Sequence, residues 1–138
     1  MTQITKAAVQ LAFEAQLGTF TAGGAVITEA APIYNPQAGV GYLSGRLSAY
    51  ARTPVGIGPD VPSSVTGSYQ VNVQRPAVEG SGMANAIAGM LVHLFVRGAA
   101  LALATGQVLI VEQASEQPAI PSGDWITVPV VIEYFGTE

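Results

Sequence analysis

Apolar positions along the chain change period several times, and each change predicts an element. Over residues 3–17, Gln3, Lys6, Gln10 and Glu14 fall on one narrow stripe at steps of three and four. Ile4, Ala8, Leu11, Ala12 and Ala15 line the opposite side, widened by Val9 and Phe13. That spacing predicts an amphipathic helix, with Thr2 as N-cap and Gly18 as its stop. A short strand is expected at Ala25–Thr28, followed by a loop over 30–41 marked by Pro32, Asn35-Pro36 and Gly39. From Tyr42 to Ala51 the period falls to two, with Leu43, Gly45, Leu47, Ala49 and Ala51 on one face. The Pro- and Gly-rich stretch 52–67 reads as a second long loop. A strand follows, with Tyr69, Val71 and Val73 inward and Ser68, Gln70, Asn72 and Gln74 outward. These two strands are expected to pair antiparallel, with the loop at their tip.

Residues 81–95 return to helical spacing, with Met83, Ile87, Met90, Leu91 and Leu94 on one face and Ala84, Ala86, Ala88 and Val92 leaving the other side apolar as well. A helix apolar nearly all round is expected to be covered on two sides. A hairpin is predicted over Ala99–Ala104 and Gln107–Gln113, turning at Thr105-Gly106. "SGDW" reads as a turn into a last strand, Trp125–Phe135, with Ile126, Val128, Val130, Ile132 and Tyr134 on one side. Pro129 lacks an N–H to donate, so that strand is expected at a sheet edge or to carry a bulge. The prediction is a single α+β domain over 1–138. It has an antiparallel or mixed sheet of about four to six strands and two flanking helices, in the order α-(β)-β-β-α-β-β-β.

Composition turns this fold into a question about surfaces. In 138 residues the charged share is 10% while hydrophobic residues make up 49%, against about 25% charged in ordinary soluble domains. So little charge reads either as a polar coat of Ser, Thr, Gln and Asn or, the reading favoured, as a surface buried against other subunits. The net charge is −4, and Lys6, Arg46, Arg52, Arg75 and Arg97 are scattered, so there is no basic patch to neutralise phosphates. No cysteine is present, which removes disulfides and thiolate metal sites. The first ten residues lack the basic and apolar regions of a signal peptide. The apolar run 83–96 is too short to span a bilayer, so the expected location is the cytoplasm of the producing cell.

Candidate chemistry is thin. "GSGMAN", residues 80–85, supplies two glycines of a dinucleotide fingerprint, but Asn85 holds the third position and the preceding strand alternates polar with apolar. No lysine follows Lys6, so a Walker loop is excluded. Ser81 reads as an N-cap. His93 is the sole histidine and has no visible partner for a metal site or a triad. Glu112, Glu116 and Asp124 are read as solvated charges, and Trp125 as a core anchor or an interface residue. Neither cofactor, metal nor catalytic residue is expected. The two long loops carry exposed-looking apolar groups: Ile33 and Tyr34 in the first, Val55, Ile57 and Val61 in the second. They read either as disordered connectors or as adhesive arms that order on a neighbouring subunit. Together with Arg52 and Asp60, these residues are the candidate partner contacts.

The helix "ITKAAVQLAFEAQL", the run "SYQVNVQRPAVEGSGMANAIAGML", the hairpin "LALATGQVLIVEQA" and the closing "PSGDWITVPVVIEYF" together resemble the tail-terminator (tail-completion) proteins of long, non-contractile-tailed bacteriophages. The resemblance covers most of the chain from about Tyr42 onward. It implies a structural virion protein that forms a ring of identical subunits, typically a hexamer. That ring would sit on the last ring of the tail tube protein, stop its polymerisation and dock to the head-completion or connector protein. It also implies DNA that only passes through the lumen, no membrane, no small-molecule substrate, and assembly in the host cytoplasm. The competing expectations are another neck or tail-tube virion component, or a small hotdog-like α+β enzyme or ligand-binding module with Asn85 as its polar group.

Overall fold

A computed structural model describes residues 3–28, 39–58 and 61–138. Helix α1 spans Lys6–Leu17 and helix α2 spans Gly82–Leu94. The cap of α1 is Thr5, whose hydroxyl accepts the Ala8 N–H at 3.2 Å; Thr2, the expected cap, lies outside the described residues. Val9, Ala12, Phe13 and Leu17 are buried, whereas Leu11 is 60% exposed and Ala15 also faces out. The apolar arc of α1 is therefore wider than the surface that covers it.

On α2 the expected face is rotated. Ala84, Ile87, Ala88 and Leu91 are buried, followed by Phe95, while Met83 and Met90 stand half-exposed. The two alanines let the helix backbone come close to the sheet, and the long methionines go where there is room. Ser81 occupies the N-cap position, yet its side chain makes no capping bond.

The strands are β1 (Ala25–Ile27), β2 (Tyr42–Pro54), β3 (Ser63–Pro76), β4 (Ala100–Ala102), β5 (Val108–Glu116), β6 (Ile120–Ser122) and β7 (Trp125–Thr137). They form one mixed sheet in the order β1-β2-β3-β7-β5-β4, with β6 also on β7. β1 runs parallel to β2 and the other pairs are antiparallel. The α+β reading and its element order hold, with β6 as an added strand. The loop expected over 52–67 is corrected: β2 continues to Pro54 and β3 starts at Ser63, leaving the connection 55–62. The other expected loop, 30–41, falls mostly outside the described residues.

Pro129 is also corrected. β7 is central, between β3 on one side and β5 and β6 on the other. The Pro129 carbonyl accepts the Gln117 N–H at 2.8 Å, and in a strand a residue's nitrogen and carbonyl point to the same neighbour. Its donorless nitrogen thus faces the gap where β5 has ended at Glu116 and β6 has not begun at Ile120. An interior strand tolerates the proline because no ladder bond is due there.

A register shift between Leu47 and Ala49 alters β2. Leu43, Gly45 and Leu47 face the core as read from the sequence. Beyond the shift the parity inverts, leaving Ala49 and Ala51 exposed and Tyr50 packed against the core. The Tyr50 hydroxyl donates to the Ile4 carbonyl at 2.7 Å.

Both helices pack on one face of the sheet, over Tyr69, Val71, Val73, Val128, Val130, Ile132 and Tyr134. Phe13 is the hub: its ring stacks on Tyr69 at 4.6 Å and tilts against Tyr134 at 5.2 Å and Phe95 at 5.8 Å. Room for the two tyrosines comes from glycines. A methyl at Gly45 would meet the Tyr69 hydroxyl, and one at Gly67 would meet the Tyr134 hydroxyl.

Candidate functional site

The long β2–β3 hairpin ends in an arm, residues 55–62, closed at its base by the Val55 N–H donating to the Pro62 carbonyl at 3.1 Å. Val55 is exposed and Ile57 is 100% exposed, while Val61 is half-buried with its methyls beside Gly56 and Gly58. Ile33, Tyr34 and Asp60 lie outside the described residues. Arg52 belongs to β2 and not to a loop. After the parity inversion it shares the inner face with Glu138 and binds it at both oxygens, Nε to Oε2 at 3.0 Å and Nη2 to Oε1 at 2.8 Å.

Glu138 is a clasp. Its carboxylate also accepts the Ile4 N–H at 2.8 Å and the Ser63 N–H at 3.1 Å, so it ties the start of the helical segment and the root of the arm to β7. The Arg52 guanidinium, opposed by burial and helped by the two backbone donors, holds its carboxyl down at about 2, from 4.5. A depressed acid contributes stability that is fully present above its unfolded value and is lost as pH falls through its folded one. Stability is therefore expected to decline between about pH 4.5 and about pH 2. Glu138→Gln should flatten that decline and lower stability at neutral pH, as read by urea melts across the range; an unchanged slope would remove Glu138 from the account.

The far end of the same strands is apolar too. Val78, in a single 3₁₀ turn at Ala77–Glu79, is 95% exposed, and Ile120, Met83 and Val40 are also exposed. The turn is fixed by the Ala77 N–H donating to the Asp124 carbonyl at 2.7 Å and by the Arg75–Glu79 ion pair at 2.8 Å. Asp124 is in a turn, as expected. Trp125 is half-buried, edge-on to Tyr42 with centroids 5.5 Å apart, on the sheet face away from the helices.

That second sheet face has no helix on it among the described residues. Its β3 row is hydroxyls and amides: Ser48 and Ser68 share a hydrogen bond at 2.8 Å, Gln70 donates to Asn72 at 2.8 Å, and Thr127 donates to Gln74 at 2.6 Å. The β7 row beside it carries Trp125, Pro129, Val131 and Phe135 as well as Thr127 and Glu133. Arg46 and Glu133 are its charged members on β2, β3 and β7.

A further surface escaped the sequence reading. Between the outer side of α1 and β4 runs an apolar groove of about 410 Å³, bordered by Ala7, Leu11, Ala15, Ala102 and Ala104. The signal for it was in the pattern: α1 has more apolar arc than one sheet face can cover.

The polar candidates read from the sequence are not brought together among the described residues. His93 and Asn85 are exposed on α2, and the exposed Glu112, Glu116 and Asp124 sit on β5 and the β6–β7 turn. Among the described residues no group of three or more His, Cys, Asp or Glu could hold a metal ion. No described helix is long and apolar enough to cross a membrane.

No curated protein matches the chain. One solved chain, 23% identical, superposes with a TM-score of 0.75 over 99% of this chain and 97% of its own. Another, from the virion of a native gene transfer agent particle, is 19% identical with a TM-score of 0.67, over 99% of this chain and 100% of its own. These likenesses establish the fold. The sequence model of the phage tail terminator protein family matches residues 8–134, nearly the whole length. By that match the chain belongs to the phage tail terminator protein family.

Proposed function

We infer that the protein forms a ring, typically of six copies, on the head-proximal end of the tail tube. There it ends polymerisation of the tube protein and presents the surface to which the head-completion or connector protein docks. The observation that carries this is the pair of dissimilar apolar ends. Val55 and Ile57 stand at one end of the long strands, and Val78, Ile120 and Met83 at the other. A terminator needs two such ends: one face matches the tube and the other does not repeat it, so growth has nowhere to continue. Closed rings use head-to-tail contacts between different patches of one subunit, and the low charge suits buried flanks.

In this reading the bare sheet face, polar along β3, lines the bore. Arg46 is balanced there by Glu133, so DNA passes a face of no net charge on β2, β3 and β7, without the counterion release that makes basic surfaces sticky. The likeness to a chain of a gene transfer agent virion accords with a place in a virion; in this reading the particle is assembled in the host cytoplasm. Deleting the coding sequence from the phage should give tails of uncontrolled length without joined heads, visible by negative-stain microscopy. Tails of normal length would overturn the proposal.

A further inference from the structure

The arm leaves the sheet with little beside it to fix its direction. β7 braces β3 up to Ser63, where the Glu138 N–H donates to the Ser63 carbonyl at 3.0 Å. Past that rung the two limbs of the arm have no third strand alongside among the described residues. β1 flanks β2 only at Tyr42–Ser44 among the same residues, far below the arm. Two-stranded ribbons twist more than wider sheets and are marginal on their own. Where the arm points is therefore decided at its root.

At that root one ion pair spans three strands. Arg52 is on β2 and Glu138 follows β7, with the start of β3 between them, where Val65 is fully buried. Two strand spacings are roughly 10 Å, a gap closed here by long side chains reaching from both sides. The guanidinium meets both carboxylate oxygens, at 3.0 and 2.8 Å, and the Glu138 side chain is only 1% exposed. The same carboxylate takes the Ile4 and Ser63 N–H groups at 2.8 and 3.1 Å. Ile4 is fully buried and its carbonyl accepts the Tyr50 hydroxyl, so β2 is held a second time nearby. A forked contact of two parallel bonds fixes orientation as well as distance, which a point charge does not.

We propose that the Arg52–Glu138 pair is a strut that aims the arm, and that both are positioning residues for the contact made by Val55 and Ile57. This rests on the reading above of the arm end as a ring face, and it specifies what holds that face in shape. Arg52, expected from the sequence among the partner contacts, acts through the arm it braces. An arm aimed correctly for a fraction of the time binds more weakly in proportion to that fraction.

The chain has no cysteine, so spin labels on Ile57→Cys and Asn85→Cys report without background. Asn85 is exposed on α2, and the label-to-label distance in the free subunit, read by pulsed electron resonance, follows the arm's direction. Adding Arg52→Met keeps the aliphatic stem, removes the fork and should roughly double the width of the distance distribution. Arg52→Lys keeps the charge without the fork and should fall between the two. In phage with native Ile57, Arg52→Met should cut capped tails at least about tenfold. Breaking a buried pair also lowers stability, so Leu91→Ala, a cavity under α2 away from the strut, is the control. It should lower the melting midpoint and leave capping intact.

An unchanged distance distribution in Arg52→Met would overturn the strut. So would a broadened arm that still caps tails normally, with the ring reading untouched. Equal loss of capping by Leu91→Ala at an equal midpoint would make the effect one of stability alone and would overturn it too. Tails of normal length in phage lacking the gene would instead sink the ring reading, on which the label distances do not depend.

Discussion

Phe13→Ala is expected to destabilise the subunit by about 3–5 kcal/mol, the usual range for removing a buried phenylalanine. Phe13 has no exposure and its ring touches three other aromatic rings, one from β3, one from β7 and one just past α2. It is the point where α1 is held to the rest of the molecule. A void there deprives Tyr69, Tyr134 and Phe95 of a packing face at once, and the sheet cannot collapse inward because its strands are bonded on both sides. Domains of this size are stable by roughly 5–15 kcal/mol, so the variant should sit near the edge of folding, with a urea midpoint lowered by about 2 M for a typical slope. A loss below about 1 kcal/mol would mean that α1 is not docked through this ring.

Gly67→Ala should cost about 2–4 kcal/mol, through overpacking and a strained hydrogen bond together. Gly67 lies between Tyr50 of β2 and Tyr134 of β7 in the ladder. An added methyl would run into the Ala49 carbonyl oxygen, which is main chain and cannot swing aside, and would come within 2.6 Å of the Tyr134 hydroxyl. That hydroxyl donates to the same Ala49 carbonyl at 3.0 Å, and burial pushes its pKa up, so it stays a donor throughout the working range. Tyr134→Phe alone removes one hydrogen bond, worth about 1 kcal/mol. In Gly67→Ala/Tyr134→Phe the two losses should add up to less than their sum, because part of the clash has gone. Strict additivity in equilibrium melts would show that the methyl acts only on the Ala49 carbonyl.

Where the sequence carried a strong period, the fold could be read from it. Tyr69, Val71 and Val73 face inward as their alternation says, and Val128 to Tyr134 do the same on β7. The failures share a physical source. A single extra residue near Ser48 inverts the parity of β2, and alternation has no memory of such an insertion, so Ala49 and Ala51, expected on the face of Leu47, are exposed while Tyr50 packs inward. Proline and glycine made 52–67 read as a loop, although Pro54 only ends a strand and Ser63 to Thr66 pair fully with β7 or its flank. Pro129 misled in the opposite direction, because a gap between two other strands cannot be seen from one strand's residues. On α2, ranking by side-chain size chose the methionines, while close packing chose the alanines.

The candidate site was less legible than the fold. Val55 and Ile57 are exposed at the arm as the sequence suggested, but the groove brings α1 and β4 together across about ninety residues of chain. The Glu138 clasp is the same kind of object: its bond to Ile4 crosses 134 positions. No local pattern encodes either.

The placement of β7 has a consequence for how each copy is made. The strand at the middle of the sheet is the last in chain order. While the nascent polypeptide leaves the ribosome, the β2–β3 hairpin is complete but one flank of β3 waits, with its amides and carbonyls open, for some fifty residues more to be translated. Long-range pairing of this sort is slow, and an open flank is a template for the wrong strand. Chains stalled before Trp125 should accordingly be the aggregating species, and full-length subunits should be safe from the moment β7 zips in.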